Sequence, residues 1–305
     1  MFEKVNPQHP DKVADRIAGA IVDLCYTKSE WPKVAAEVLL GHGLCSLQIE
    51  TSERLTKEEL EAIVHRIAGE EVEVRALIVP QDVHLADNQA GAVRCGDNGI
   101  FRGCAPTHEQ KLLTAIATSI YDRYPTDGKY LINEEPMAEN VKNRYYDLTI
   151  CQSHMSKTDF FLWNNEITKG DDCSNAVAVD GSIITFKLGK DILIPKVNPL
   201  GPWTGGTDVD CGATNRKLGS DMGDGVTGGG LHGKDLSKAD VSVNIWCYLE
   251  SIRTGREVTA CCSIGDETVC GIPYRDIVEQ ARLYIHTLGG FERFAMWGLI
   301  RHKDY

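Results

Sequence analysis

The chain has 305 residues, 42% of them apolar and 25% charged, which is typical of a folded globular protein with a real core. Its formal charge is −12, from 32 basic and 44 acidic residues, and no run of lysine and arginine stands out, so DNA and RNA are not expected partners. A protein this acidic that binds a polyanion must concentrate its few cations locally or recruit metal ions.

The cysteines and the apolar segments narrow the type of protein further. The eleven cysteines are odd in number and form no C-x-x-C pair, which argues against a fully paired disulfide framework and against a zinc site. No window approaches the ~20 apolar residues of a membrane span, and the N-terminus has no apolar signal-peptide region. We expect a cytoplasmic protein with reduced thiols and no membrane partner, and its length fits two domains, three small ones or a single large one.

Apolar residues at helical spacing and capping residues at helix ends predict the helices in chain order. They run from Lys12 to Lys28, from a Thr56 and Glu59 capping box to Gly69, from a Thr107 and Gln110 capping box to Pro125, and, as the last helix, from Pro273 to Gly289 and Gly290.

Runs rich in β-branched and aromatic residues predict the strands, at 72–79, 145–151, 176–186 and 257–264. Because helices and strands alternate irregularly, we predict an α+β fold in which helices cover one face of each sheet.

Residues 201–233 differ from the rest, since they hold 11 of the 29 glycines and no evident strand or helix. A loop this long inside a compact domain is more often functional than not. The alternative is a disordered insert, which would be richer in Ser, Lys and Glu.

A first candidate site lies at the start of the first helix, where His9, Pro10, Asp11 and Lys12 follow one another. Helix N-termini attract anions, so phosphate or a metal–phosphate complex would bind well there. An ordinary helix start with Asp in its first turn is the alternative.

A second candidate site lies in and after the glycine-rich stretch. Asp208, Asp210, Arg216 and Lys217 precede GGGLHGKD at 228–235, which Lys238 and Asp240 follow. Glycines allow the backbone to approach phosphate, Lys and Arg supply positive charge, and carboxylates can hold Mg²⁺. The near match to a P-loop is rejected, because Asp235 replaces the required Ser or Thr and no buried strand precedes the glycines.

Two further segments, CGDNG at 95–99 and DGK at 127–129, have the composition of turns when read alone.

Together, and in order, these segments resemble the methionine adenosyltransferase family, also called S-adenosylmethionine synthetase. HPDKVADRIAGAIVD at 9–23 resembles that family's GHPDK helix, GDNG at 96–99 its GDQG, and DGK at 127–129 its DAK. NPLG at 198–201 and DCGATNRK at 210–217 are similar to NPTG and GDxGLTGRK, and GGGLHGKDLSKAD at 228–240 to GGGAFSGKDPSKVD.

The resemblance implies synthesis of S-adenosylmethionine from ATP and L-methionine, with release of tripolyphosphate that is then hydrolysed to pyrophosphate and phosphate. It implies three similar α+β domains around a pseudo-threefold axis, here 1–88, 89–192 and 193–305. It also implies that two chains pair through their sheets as a homodimer with active sites at the interface, or as a tetramer built from such dimers.

The resemblance further implies a role for each matching residue. His9, Lys129, Arg216 and Lys234 would be catalytic and bind the triphosphate. Other ATP contacts would come from Asp97, Asp127, Trp203, Asp210, Lys217, Leu231 and Ile264. Methionine would be bound by Glu50, Gln81, Asp210 and Lys238. Two Mg²⁺ per site would be held by Asp11 and Asp240, and K⁺ by Glu37.

The chain departs from the family pattern in several places. Pro202 stands where an Arg that helps bind ATP is usual, His232 replaces Ser, and Thr227 replaces His. The chain is also shorter than the usual member, with an abbreviated gating segment between Gln81 and Gly96. One alternative is another ATP-dependent phosphotransferase, which would release ADP. The other is a non-catalytic nucleotide-binding paralogue, although Asp11, Lys234 and Asp240 are all present.

Overall fold

The computed structural model describes residues 1–87, 93–134, 144–160, 163, 177–179, 183–188 and 190–302. Within them the helices are α1 (Pro10–Lys28), α2 (Lys57–Ala68), α3 (Val83–Asp87), α4 (His108–Arg123), α5 (Leu218–Met222), α6 (Ala239–Thr254), α7 (Tyr274–Leu288) and α8 (Phe291–Trp297). The strands are β1 (Phe2–Val5), β2 (Val34–Gly41), β3 (Leu44–Thr51), β4 (Glu73–Pro80), β5 (Gly99–Gly103), β6 (Gly128–Glu134), β7 (Arg144–Gln152), β8 (Val177–Val179), β9 (Ile183–Leu188), β10 (Asp191–Val197), β11 (Gly212–Ala213), β12 (Val258–Cys262), β13 (Thr268–Val269) and β14 (Ile272–Pro273).

The chain forms two compact units. The first unit comprises Met1–His9, Thr107–Gly206 and Arg301–Tyr305, and the second comprises Pro10–Pro106 and Thr207–Ile300. The mixture of helices and sheets confirms the α+β class. The predicted domains 1–88, 89–192 and 193–305 have other bounds than these two units. The three domains and their threefold arrangement stay predictions.

The first unit contains a mixed sheet with the strand order β1-β6-β7-β10-β9-β8. Strands β7 and β10 are parallel, whereas β6 is antiparallel to both β1 and β7. Tyr130, Ile132, Leu148 and Ile150 are buried at every second position of β6 and β7, because successive strand side chains point to opposite faces. Helix α4 packs against β1 and β6 and covers this apolar face.

The second unit contains a sheet with the order β11-β2-β3-β4. Strands β2 and β3 form a hairpin whose turn residues His42 and Gly43 have φ of +53° and +77°, as tight hairpin turns require. Strands β3 and β4 are parallel, and α2 forms the crossover between them.

Helix α1 lies at the centre of the second unit, in contact with β2, α2 and α8. Val13, Ile17 and Ile21 are buried against the sheet residues, and Gly19 permits the close approach of α8. A Cβ at Gly19 would lie 2.7 Å from the carbonyl oxygen of Phe291. This central position fixes where the start of α1, with Asp11, can lie.

The paired strands β5 and β12 are covered by α6, which also packs on α7. The contact is close at Gly103, where a Cβ would lie 2.0 Å from the carbonyl oxygen of Cys247.

The predicted helices are confirmed as α1, α2, α4 and α7, and both capping boxes are formed. The predicted strands at 72–79, 145–151 and 257–264 correspond to β4, β7 and β12. The predicted strand at 176–186 is described only in part, as β8 and β9.

Two predictions are wrong. The helix α8 follows Gly289 and Gly290, so α7 is not the last helix. It begins there because the Asp23 carboxylate accepts the backbone N–H groups of Phe291 and Glu292 at 2.8 and 2.9 Å. The glycine-rich stretch contains β11, α5 and a 3₁₀ turn at Gly223–Gly225, although no strand or helix was expected there. These elements depend on distant partners, since β11 pairs with β2.

The cysteines among the described residues are free thiols. Burial raises the pKa of the Cys45 thiol to about 12, so this cysteine behaves as a small apolar core residue. None of the described helices combines the length and the apolar composition that crossing a bilayer requires.

The contact between α6 and β5 predicts the effect of enlarging Gly103. Gly103→Ala should lower the free energy of unfolding by at least about 2 kcal/mol, because its methyl group overlaps the Cys247 carbonyl. Gly219→Ala is the matched control, since nothing lies within 4 Å of its Cβ position and helix propensity favours Ala by about 0.5–1 kcal/mol. Urea unfolding measures both, and equal stabilities would contradict the packing described.

Candidate active site

The first cluster of predicted site residues lies at the start of α1. Asp11, only 2% exposed, accepts the backbone N–H of Ala213 at 2.9 Å. Its carboxylate oxygens also lie 3.5 Å from Arg216 Nη1 and 3.5 Å from Lys217 Nζ. The structure therefore brings together a carboxylate and two cations that the sequence separates by more than two hundred positions.

Glycine makes this arrangement possible. A Cβ at Gly212 would lie 2.0 Å from the carbonyl oxygen of Pro10, so only glycine lets β11 pass this close to the start of α1. The strand pairing of Gly212 with Leu40 then fixes the direction in which the chain continues to Arg216.

The second cluster surrounds Asp240, in the first turn of α6. Lys234 Nζ lies 2.6 Å from Asp240 Oδ2 and donates a second hydrogen bond to the carbonyl oxygen of Gly229. A Cβ at Gly229 would lie 2.1 Å from Asp240 Oδ1, so the triple-glycine loop packs directly on this carboxylate. Gly233 attaches the same loop to β2, because its carbonyl accepts the Ala36 N–H at 2.7 Å.

The GDNG turn joins the second cluster. Gly96 donates its N–H to the carbonyl of Ser237 at 2.8 Å, and its own carbonyl oxygen lies 3.5 Å from Lys238 Nζ. Burial raises the pKa of the Asp240 carboxyl to about 6, an effect that the Lys234 ammonium opposes and the neighbouring Asp97 carboxyl increases. Two carboxyl groups this close are a suitable pair for a divalent cation.

A third group of ionisable residues is fully buried. Asp15, Asp221 and His232 carry potential metal-ligand atoms that all lie within 4.8 Å of one another. However, Lys12 Nζ lies 2.7 Å from Asp221 Oδ1, 3.1 Å from Asp15 Oδ2 and 3.3 Å from His232 Nε2. Burial lowers the pKa of Lys12, but the two carboxylates outweigh it, and the net shift is upward. The cation at this position is therefore the lysine ammonium.

The first unit holds the other predicted phosphate and adenine residues. Lys129 Nζ lies 2.8 Å from Glu3 Oε2, and the buried Asp127 carboxylate accepts the Gly206 N–H at 2.8 Å. Trp203 Nε1 donates to Asn198 Oδ1 at 3.1 Å. His9 is the last residue of the unit's first segment and donates its backbone N–H to the Asn6 carbonyl at 3.1 Å.

The predicted potassium ligand Glu37 and the predicted methionine residues Glu50 and Gln81 lie on or beside the outer face of the second unit's sheet. Glu37 and Glu50 are exposed there, and the Glu37 carboxylate accepts a hydrogen bond from the Thr214 hydroxyl. The Gln81 backbone N–H is bonded to the Thr51 carbonyl at 3.1 Å, and no hydrogen-bond partner of its buried Oε1 is found for the part of the chain described. A buried amide oxygen of this kind suits contact with a ligand.

The remaining predicted ATP residues differ in exposure. Asp210 and Ile264 lie on the surface, whereas Leu231 is fully buried and its backbone N–H is bonded to Asn215 Oδ1 at 2.8 Å. The roles of all these residues stay predictions.

Sequence reasoning missed Asp15, Asn215 and Asp221. The spacing of Lys12 and Asp15 by three positions was the available signal for one helix face.

Comparison with known proteins confirms the resemblance found in the sequence. The family profile described as "S-adenosylmethionine synthetase, N-terminal domain" matches residues 1–74. The S-adenosylmethionine synthase of Prochlorococcus marinus (strain NATL1A) is 26% identical over 285 aligned positions, covering 79% of this chain and 69% of that protein. The synthase of Mycoplasma mycoides subsp. mycoides SC is 28% identical, with 80% and 70% covered.

Among solved structures, an unusual S-adenosylmethionine synthetase from Campylobacter jejuni superimposes with a TM-score of 0.71 at 19% identity. The match covers 100% of this chain and 96% of that one, so the two have similar length and fold. The low identities to all three proteins fit a divergent member of that group.

The buried ammonium predicts a large stability effect. Asp221→Ala should lower the free energy of unfolding by about 3–5 kcal/mol, because it leaves the Lys12 ammonium buried without its nearest carboxylate. Glu61→Ala, which breaks the exposed ion pair with Lys57, is the control and should leave stability unchanged within error. Urea unfolding at pH 7 measures both variants. If both variants lose a similar small amount of unfolding free energy, the buried ion pair contributes no more to stability than the exposed one.

Proposed function

Because this chain is a divergent relative of the S-adenosylmethionine synthetases, we propose that it is a methionine adenosyltransferase. In this reaction the methionine sulfur attacks C5′ of ATP, and tripolyphosphate leaves. The observation that carries the proposal is the Asp240 cluster, where Lys234, Asp97 and the triple-glycine loop surround one buried carboxylate.

The chemistry needs positive charge more than it needs a general base. A thioether sulfur already has a free lone pair, so no proton must be removed from the nucleophile. The tripolyphosphate leaving group carries several negative charges, and stabilising them is the main catalytic task. Arg216, Lys217 and Lys234 supply cations that lie beside the Asp11 and Asp240 carboxylates.

Two Mg²⁺ fit the carboxylates of these clusters. Asp11 and Asp240 are buried carboxylates, and Asp240 lies beside the Asp97 carboxyl, so oxygen ligands of the kind that a divalent cation prefers are present. When bound, Mg²⁺ would neutralise phosphate charge. Asp11 would hold one ion and Asp240 the other, while Lys234 and Arg216 would bind phosphate oxygens.

Methionine binding is assigned to Glu50, Gln81, Asp210 and Lys238. A carboxylate such as Asp210 would favour the cationic sulfonium product. Glu37, on the same sheet face as Glu50, would be a ligand of K⁺. His9, Asp127 and Lys129 are assigned to the triphosphate and Trp203 to the adenine, whose ring an aromatic face can stack against.

We further propose that a second copy of this chain covers the outer face of the sheet β2-β3-β4. In the strand register Glu37 lies beside Gln48, and Gln48 beside Leu77, so these three form one row across this face. Leu39 and Leu77 are 56% and 59% exposed there, which is costly for apolar side chains in an isolated chain. The dimer, any tetramer built from it and the cytoplasmic location stay predictions.

Product analysis tests the reaction. Purified protein incubated with ATP, L-methionine, Mg²⁺ and K⁺ should form S-adenosylmethionine, pyrophosphate and phosphate without ADP, as measured by mass spectrometry. Formation of ADP would support the alternative of another ATP-dependent phosphotransferase. Nucleotide binding without any product would support the alternative of a non-catalytic paralogue.

Lys234→Ala should reduce kcat by about 10²- to 10³-fold, because it removes one fixed cation from the leaving group. The affinity for methionine should change little. Lys57→Ala, which removes an exposed cation elsewhere, is the control and should keep full activity. Steady-state kinetics with each substrate varied separately gives the result, and equal losses in kcat and methionine affinity would count against this role.

Leu77→Glu should convert dimers to monomers, because it places a charge in the proposed sheet-to-sheet contact. Leu283→Glu, on the exposed side of α7 where the leucine is 65% exposed, is the matched control and should leave the dimer intact. Light scattering coupled to size-exclusion chromatography distinguishes the two. A dimer that persists in Leu77→Glu places the contact elsewhere.

A further inference from the structure

Within the part of the chain described, Asn215 makes four hydrogen bonds to three other residues. It adopts a left-handed conformation, with φ of +61°, which asparagine tolerates better than most residues. Its backbone N–H donates to Asp15 Oδ1 at 2.8 Å. Its side-chain Oδ1 accepts the N–H groups of Leu231 and His232, both at 2.8 Å, and its Nδ2 donates to the His232 carbonyl at 3.1 Å.

These bonds connect three parts of the phosphate-binding region. Asp15 belongs to α1, one turn after Asp11, and Arg216 directly follows Asn215 in the chain. Leu231 and His232 lie in the loop between the triple glycine and Lys234. A displacement of Asn215 would therefore move the cations of both clusters relative to each other.

The loop is shaped to fit the asparagine side chain. Gly230 has φ of +84°, and a Cβ there would lie 2.6 Å from Asn215 Cγ. The third glycine of the loop is thus required by the carboxamide, in addition to any approach of phosphate.

We propose that Asn215 is a positioning residue for the triphosphate. It acts through Arg216 and the loop that leads to Lys234, and it holds both in the geometry that binds the phosphate chain. This proposal rests on the proposed function, but it concerns polyphosphate binding and can be tested without the reaction.

Asn215→Gly removes the side chain and keeps the backbone conformation, because glycine adopts a positive φ without strain. We expect the affinity for inorganic tripolyphosphate, measured by calorimetry, and kcat/KM for ATP each to fall by about 10- to 100-fold, as loss of hydrogen bonds that order charged groups implies. KM for methionine should stay within about twofold of the wild-type value, since Asn215 contacts none of the methionine residues assigned above. Unchanged tripolyphosphate affinity would overturn the proposal.

Cys270→Gly is the matched control. Cys270 also has a positive φ, of +51°, and is exposed in the turn between β13 and β14. Cys270→Gly should leave the affinity for tripolyphosphate unchanged. A comparable loss in this control would show that relief of backbone conformation, and not the carboxamide, causes the effect.

A double-variant comparison separates positioning from general stabilisation. If Asn215 acts partly through Arg216, Asn215→Gly should cost less tripolyphosphate affinity when introduced into Arg216→Ala than when introduced into the wild-type protein. Full additivity of the two substitutions would overturn this part of the proposal.

Asn215→Asp provides a rescue that also serves if the glycine variant does not fold. The carboxylate can still accept the Leu231 and His232 N–H groups, so tripolyphosphate affinity should stay within about tenfold of wild type. An affinity loss beyond about tenfold in a folded Asn215→Asp protein would contradict the proposal. Wild-type protein that binds tripolyphosphate but forms no S-adenosylmethionine would overturn the proposed function alone, whereas wild-type protein that binds no tripolyphosphate would overturn both.

Discussion

The buried ammonium of Lys12 is the interaction on which the second unit's site depends. It lies among Asp15 of its own helix, Asp221 of α5 and His232 of the glycine-rich loop. A buried charge is costly unless oppositely charged groups surround it, so the ammonium is stable here only while the Asp15 and Asp221 segments meet at this point. Lys12 also follows Asp11 directly, and the network that fixes α5 and the loop therefore fixes the helix start that carries the candidate metal ligand.

Glycines let the segments of this framework approach closely enough to form the candidate site. At Gly212 the chain passes the start of α1, and at Gly229 it packs on Asp240, both at distances that no side chain permits. The backbone approach places Arg216 and Lys217 beside Asp11, and Lys234 beside Asp240. A protein with a formal charge of −12 thus gathers its cations at two carboxylates, which is how an acidic protein can bind a polyanion.

One residue at which the sequence departs from the motif it resembles takes part in the same framework. His232, where a serine is usual, contacts the Lys12 ammonium and the Asp221 carboxylate. Its backbone is held by Asn215, whose carboxamide also requires Gly230. These side chains are buried or partly buried and form a connected set, so each one constrains its neighbours. The departure at His232 is therefore built into the contacts that connect α1, α5 and the glycine-rich loop.

The sequence by itself determined the features that depend on neighbouring residues. The helices α1, α2, α4 and α7 follow from apolar spacing, two of them from capping boxes as well, and the glycine-rich motifs identified the family resemblance and most candidate site residues. Strands β2 and β3, helix α6, and the elements inside the glycine-rich stretch were not predicted. Only the tertiary structure decided that Asp23 caps α8, that β11 joins β2, and that Lys12 fills a cluster of metal-ligand groups. Lys12 and Asp221 are 209 positions apart, and no local pattern encodes a contact between residues at such a separation.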